Sequence, residues 1–150
     1  WPKTGSDGAD PYARAVLART GEVPLGLAEG LSFTARTDEA GAKLDPTCDY
    51  IVTGPIPPAR YWTLTALTPR GLVIDNSAGR TGITSAEIVR AMDGTFAITL
   101  SRQARAGNWL PLGNTSDFVL LLRLYDTPLS SASSSIGATP MPRLRKERCA

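Results

Sequence analysis

Arg123 is the residue whose type and setting promise the sharpest chemistry in this chain. It lies within Asp117-Phe118-Val119-Leu120-Leu121-Leu122-Arg123-Leu124-Tyr125, the most apolar run in the sequence. A guanidinium in a covered position must be paired or vented to water. As a functional group it would anchor a carboxylate or other anion through its planar fork. As a structural group it would pair internally with an acid such as Asp10, Glu22 or Glu29, and that reading is preferred. Tyr125 shares the strand face of Arg123 and joins the candidates. Trp109 could stack on a ligand with Asn108 supplying hydrogen bonds, although a Trp-Leu-Pro step before a core strand more often plugs a corner. Trp62 with Tyr61 would make an aromatic platform for a sugar or another flat ligand. Trp62 alternates with Leu64, however, which favours core packing. Asp75, Asn76, Ser77 and Arg80 crowd one polar loop that would suit a hard cation or a phosphate, or simply solvent. No P-loop, dinucleotide fingerprint or EF-hand spacing is present.

Composition narrows the chemistry further. The chain contains no histidine, which removes Ser-His-Asp and Cys-His nucleophile systems, the usual zinc sites and histidine acid–base catalysis. No metal and no cofactor are expected. Hydrolysis or elimination would have to rest on carboxylates, Tyr and Arg. A net charge of +2 is too small to argue for nucleic acid. The charge is also uneven: Arg143, Arg145, Lys146 and Arg148 face only Glu147 near the C-terminal end, and the body is close to neutral. Such a basic end is most simply solvated, and less often contacts an acidic surface or phospholipid headgroups. Cys48 and Cys149 are too far apart for a CxxC motif. They are either two buried thiols or one disulfide joining the tail to the body. A lone Cys149 in a polar terminus would be exposed, which favours the bridge and with it an oxidising compartment.

These groups must be held by a single domain. The chain has 150 residues, 42% hydrophobic and 20% charged, as ordinary globular proteins do. No apolar run is long enough to span a membrane. The chain opens on Trp1, so a cleaved signal or a membrane tether preceding it would be out of view. Asp10-Pro11 starts a short helix over about 10–20, with Asp as cap and Pro at the first position, and Gly21 ends it. Everything after it reads as β. Leu31, Phe33 and Ala35 alternate with polar residues, and Asp49 to Gly54 is halted by Pro55, Pro57 and Pro58. Tyr61 to Leu67 turns Trp62, Leu64 and Ala66 inward. Leu72-Val73-Ile74 and Glu87-Ile88-Val89-Arg90 read as short strands, and Asp93-Gly94 as a hairpin turn into Phe96, Ile98 and Leu100. Period two puts Phe118, Leu120, Leu122 and Leu124 on one face of the apolar run. Val119, Leu121, Arg123 and Tyr125 take the other, so the strand is expected to be covered on both sides at the centre of the fold. Residues 1–129 form the expected domain. Residues 130–150 form a Ser/Pro-rich basic tail with little regular structure unless something pins it. The spacing of strands and turns predicts an all-β antiparallel sandwich or barrel with one helix at its edge.

Asn108-Trp109-Leu110-Pro111 and Leu122-Arg123-Leu124-Tyr125, with Tyr61-Trp62-Thr63-Leu64-Thr65 and Asp93-Gly94 upstream, resemble a bacterial family described only as domain of unknown function 1214. Asp10-Pro11-Tyr12-Ala13-Arg14-Ala15 is similar to the opening of its short members, so the resemblance covers roughly residues 9 to 126. It implies a jelly-roll-like antiparallel β-sandwich in a periplasmic, secreted or membrane-anchored envelope protein. It also lends support to the Cys48–Cys149 bridge, and it brings no activity. The expected function is a non-catalytic binding or structural module of the cell envelope whose partner is a protein or glycan. A histidine-free hydrolase or lyase acting on an envelope glycan or small anionic substrate is the alternative.

Overall fold

The computed structural model describes Lys3–Thr4, Ala15, Arg19 and residues 29–131 and 139–149. Apart from Ala15 and Arg19, the expected helix over about 10–20 lies outside the described residues. Two sheets face each other. The first has strand order β1 (Lys3–Thr4), β2 (Gly30–Ala35), β8 (Val119–Tyr125), β4 (Tyr61–Leu67) and β5 (Gly82–Thr84). The second has order β7 (Asn108–Pro111), β6 (Ala97–Ser101), β3 (Cys48–Thr53) and β9 (Arg143–Cys149). They form an open sandwich, and a 3-10 turn, η1 (Pro128–Ser131), follows β8.

Side chains of alternating parity meet between the sheets, as pleated strands require. Leu31, Phe33, Trp62, Leu64, Ile83, Phe118, Leu120, Leu122 and Leu124 come from the first sheet and its flank. Tyr50, Val52, Ile98, Leu100, Leu110 and Leu144 come from the second. Tyr50 bridges the layers: its ring meets Phe118 edge-on at 5.8 Å, and its hydroxyl accepts the Asp45 amide at 2.8 Å. Burial pushes the Tyr50 hydroxyl above its ordinary pKa, so it stays protonated.

β8 is central, paired with β2 on one side and β4 on the other. Its inward face is fully buried, and Val119 and Leu121 on the opposite face are also buried, as the apolar run predicts. Arg123 is half-buried between Ser32 and Thr63 on neighbouring strands.

Several local expectations are corrected. Leu72-Val73-Ile74 is not a strand: Val73 makes one bridge to Leu67, and Leu72 and Val73 stay exposed beyond the Thr68–Leu72 turn. Glu87 to Arg90 is irregular, because its backbone pairs with the Asn108 side chain rather than with a strand. Gly82–Thr84 is a strand that the polar composition nearby conceals. β7 runs parallel to β6, whereas the rest of the sandwich pairs antiparallel. The basic segment near the C-terminal end contains β9, which closes the edge of the second sheet against β3. A bulge between Asp49 and Tyr50 accommodates it. Its exposed Arg and Lys side chains keep that edge from pairing with another chain. Cys48 and Cys149 form a disulfide across this pairing.

Candidate functional site

The sequence candidates fall in three separate places. Trp62 points into the core, 4% exposed, with its ring stacked on Phe96 at 5.8 Å. The Arg90 guanidinium lies over the far ring, 5.3 Å from the Phe96 centroid. Tyr61 points the other way, as period two demands, and packs against Tyr125 at 5.9 Å. Arg123 and Tyr125 therefore share the outer face of the first sheet, across the sandwich from Trp109. Asn108 is committed to backbone. Its amide nitrogen donates to the Val89 and Ala97 carbonyls, and its oxygen accepts the Val89 amide at 2.7 Å. It is a clamp, holding the 87–90 segment to the β6–β7 ladder.

Trp109 is different. β7 turns Leu110 into the core and Trp109 outward, half-buried on the outer face of the second sheet. Its Nε1 donates to the Ser101 carbonyl at 3.0 Å, which fixes the ring. Opposite it stands the polar loop of Asp75, Asn76 and Ser77. With Arg102, Pro111, Gly113 and Asn114, these residues line a cleft of about 520 Å³. Asn76 shapes the loop by donating to the Ile74 and Arg80 carbonyls and accepting the Arg80 amide. The Arg80 guanidinium reaches the Trp109 carbonyl at 3.4 Å. Gly113 lets the two walls meet: at φ +56°, a Cβ there would stand 2.2 Å from the Asp75 carbonyl oxygen. Trp109 and the polar loop, separate candidates in the sequence, are walls of one cleft.

A second cleft of about 500 Å³ lies on the same outer face and shares Arg102 with the first. Thr47, Asp49, Ser101, Gln103, Arg105, Arg148 and Cys149 complete its lining. Asp49 Oδ2 accepts Arg105 Nη2 at 2.6 Å and Arg148 Nε at 3.0 Å. Burial alone would raise the Asp49 pKa, but the Ser101 hydroxyl and the two guanidiniums hold it below the ordinary 3.8. In the sequence Cys149 stands out only as a bridge candidate and Arg148 only as part of the basic end, and neither they nor the other residues point to a cleft. A signal was nonetheless present, since a Cys48–Cys149 bridge between antiparallel strands sets Asp49 opposite Arg148.

A third cleft holds two acids, Asp38 and Glu39, with Arg36 and Arg143. Both carboxylates are engaged. Asp38 accepts the Ala40 and Ala42 amides of its own turn, and Glu39 accepts Arg143 Nε at 2.9 Å. Among the described residues, no group of three His, Cys, Asp or Glu is placed to hold a metal ion. No helix among them is long and apolar enough to cross a membrane.

Comparison with known proteins gives a fold and a family without an activity. The crystal structure of the VPA0106 protein from Vibrio parahaemolyticus is similar over 91% of this chain, with a TM-score of 0.72 and 22% identity. The chain spans 35% of that protein's length. A putative uncharacterized protein from Burkholderia cenocepacia is more distantly similar, at a TM-score of 0.48 and 18% identity over 96% of this chain and 45% of that one. No curated protein matches. The family described as "Protein of unknown function (DUF1214)" matches residues 29–129, the span that holds both sheets except β1 and β9. With two thirds of its length inside that match, this chain belongs to the DUF1214 family.

Proposed function

We propose that this is a non-catalytic binding module of the bacterial cell envelope that takes a glycan in the Trp109 cleft. The observation that carries the reading is the fixed, half-exposed indole facing Asp75, Ser77 and Asn114 across a cleft whose loop Asn76 holds in shape. A sugar ring offers an apolar face for stacking and hydroxyls for hydrogen bonds, and this wall arrangement matches both. The polar side chains and the indole come from segments locked to one another, so little order is lost on binding. The envelope setting is supported by the Cys48–Cys149 disulfide, a bond that persists in oxidising compartments. A hydrolase or lyase would need a carboxyl poised to exchange a proton. The Trp109 cleft is lined by one carboxyl, Asp75, rather than the pair that glycoside hydrolysis uses. Asp49, Asp38 and Glu39 in the other clefts are engaged by guanidinium or amide donors, which favours binding over catalysis.

The test is a fluorescence titration with chitotetraose, a neutral amino-sugar oligomer, and with the tetrasaccharide that alternates N-acetylglucosamine and N-acetylmuramic acid. At least one should bind and shift the tryptophan emission, and Trp109→Ala should abolish the binding. Binding of neither, or binding that survives Trp109→Ala, would remove the reading.

A further inference from the structure

The arginine cleft contains three guanidiniums and one carboxylate, from Arg102, Arg105, Arg148 and Asp49. Asp49 is ionised at neutral pH, so it neutralises one of the three. It also orders two of them. Arg105 donates to it through one terminal nitrogen and Arg148 through Nε. Both terminal nitrogens of Arg148, and Nε and Nη1 of Arg105, make no hydrogen bond among the described residues. Arg102 is tied by one terminal nitrogen to the Thr115 carbonyl at 2.5 Å. Three cationic forks, each fixed at one point and open at another, therefore line a cleft with excess positive charge. Arg105 is 26% exposed and the Asp49 carboxylate 15% exposed, so the charge is only partly screened by water.

Such a site suits an oxyanion. Planar guanidiniums pair with carboxylate or phosphate through two parallel hydrogen bonds. Their rotamers are already restricted by Asp49 and Thr115, which lowers the entropy lost on binding. The neighbourhood narrows the ligand further. Arg102 lines this cleft and the Trp109 cleft alike, and Ser101, in the arginine cleft, accepts the Trp109 indole hydrogen. One elongated ligand can thus lie across the outer face of the second sheet. We infer that the arginine cleft is the acid subsite of the glycan site, so that the ligand is an oligosaccharide carrying a carboxylate or phosphate beside the ring stacked on Trp109. This inference rests on the glycan reading of the Trp109 cleft and adds the chemical class of the ligand.

The two tetrasaccharides of the preceding titration separate the ideas, because they differ in the lactyl carboxylate carried by the muramic acid rings. Calorimetry at low ionic strength should give at least tenfold tighter binding of the acidic oligomer, the size expected from one charge-assisted hydrogen bond. The preference should shrink with added salt. Arg105→Gln with Arg148→Gln should bring the acidic oligomer to the affinity of the neutral one and leave the neutral one unchanged. Inorganic phosphate competing with the acidic oligomer alone would show a general oxyanion subsite, and no competition would show one specific for the carboxylate. Either result upholds the acid subsite. Arg148→Gln alone, at the solvent-exposed edge strand, serves if the double variant does not fold, and should remove part of the preference. Equal affinity for the two oligomers in the unaltered protein, or a preference that survives the substitutions, overturns the acid subsite and leaves the glycan reading intact. Binding of neither removes both.

Discussion

Cys48 on β3 stands directly opposite Cys149 on β9, and their sulfurs are bonded across a sequence separation of 101. The bond closes most of the chain into a loop and fastens the second sheet's outermost strand at its far end. Asp49 and Arg148, the next residues on each strand, meet beside it.

Cutting that loop has a large expected cost. Bridging about a hundred residues removes enough freedom from the unfolded chain to stabilise the fold by about 4–5 kcal/mol in the chain-entropy account. Cys149→Ser, at an exposed position, should lower the urea unfolding free energy by that order. Protein purified without reductant should show no free thiol in a denaturing assay. Two titratable thiols, or a loss below about 1 kcal/mol, would show that the bridge does not constrain the chain in solution.

The two tryptophans should behave oppositely. Trp62 is buried and stacked on Phe96, so Trp62→Ala leaves a cavity costing about 3–5 kcal/mol. Trp109 is half-exposed, and Trp109→Ala should cost less stability while abolishing ligand binding. Urea unfolding and the glycan titration, run on both variants, read the two effects separately.

Gly113 is the tightest joint of the Trp109 cleft. Gly113→Ala combines a positive φ with a Cβ that would collide with the Asp75 carbonyl. The 74–77 loop must then move away, at an expected cost of about 1–3 kcal/mol. Thermal unfolding should report that loss. Glycan affinity should fall as well, although Gly113 offers a ligand no side chain.

Acid should weaken the arginine cleft. The folded-state pKa of Asp49 is depressed below its ordinary 3.8. Its contribution to stability is therefore complete above the unfolded value and disappears as pH falls through the lower, folded value. The stability difference between the unaltered protein and Asp49→Asn should stay constant from about pH 7 to pH 5 and shrink below about pH 4. Urea unfolding across that range checks it. A difference that grows on acidification would mean the carboxyl is protonated in the native state.

The sequence disclosed the layers better than the seams between them. Phe118 to Tyr125 is apolar on both parities, and only a strand between two neighbours and two coverings accommodates that pattern. The alternations in Gly30–Ala35 and Tyr61–Leu67 likewise state which side chains face inward. β7 was harder to read. The connection of six residues from Ser101 to Asn108 resembles a hairpin link, yet it returns the chain to a parallel neighbour. It can do so because the paired strands are short. Ile98 lies about 10 Å back along β6 from Ser101, within the roughly 20 Å reach of six residues. The Trp109 cleft depends on Gly113 against Asp75 and on Arg80 against Trp109, contacts between distant segments that period and composition do not encode. Arg148 reads as one more solvated charge of the basic end, and Arg105 carries no signal at all, for the same reason. Their meaning lies in Asp49, which pairing alone brings between them.

The position of β9 in the second sheet bears on biogenesis. β3 carries one ladder to β6 and another to Arg143–Cys149, a segment synthesised about a hundred residues later. Until that segment emerges, the β3 edge is an open row of amides and carbonyls, inviting any extended chain nearby. A nascent chain of this protein therefore carries an unpaired sheet edge until β9 docks, and the Cys48–Cys149 bond then latches that strand in place.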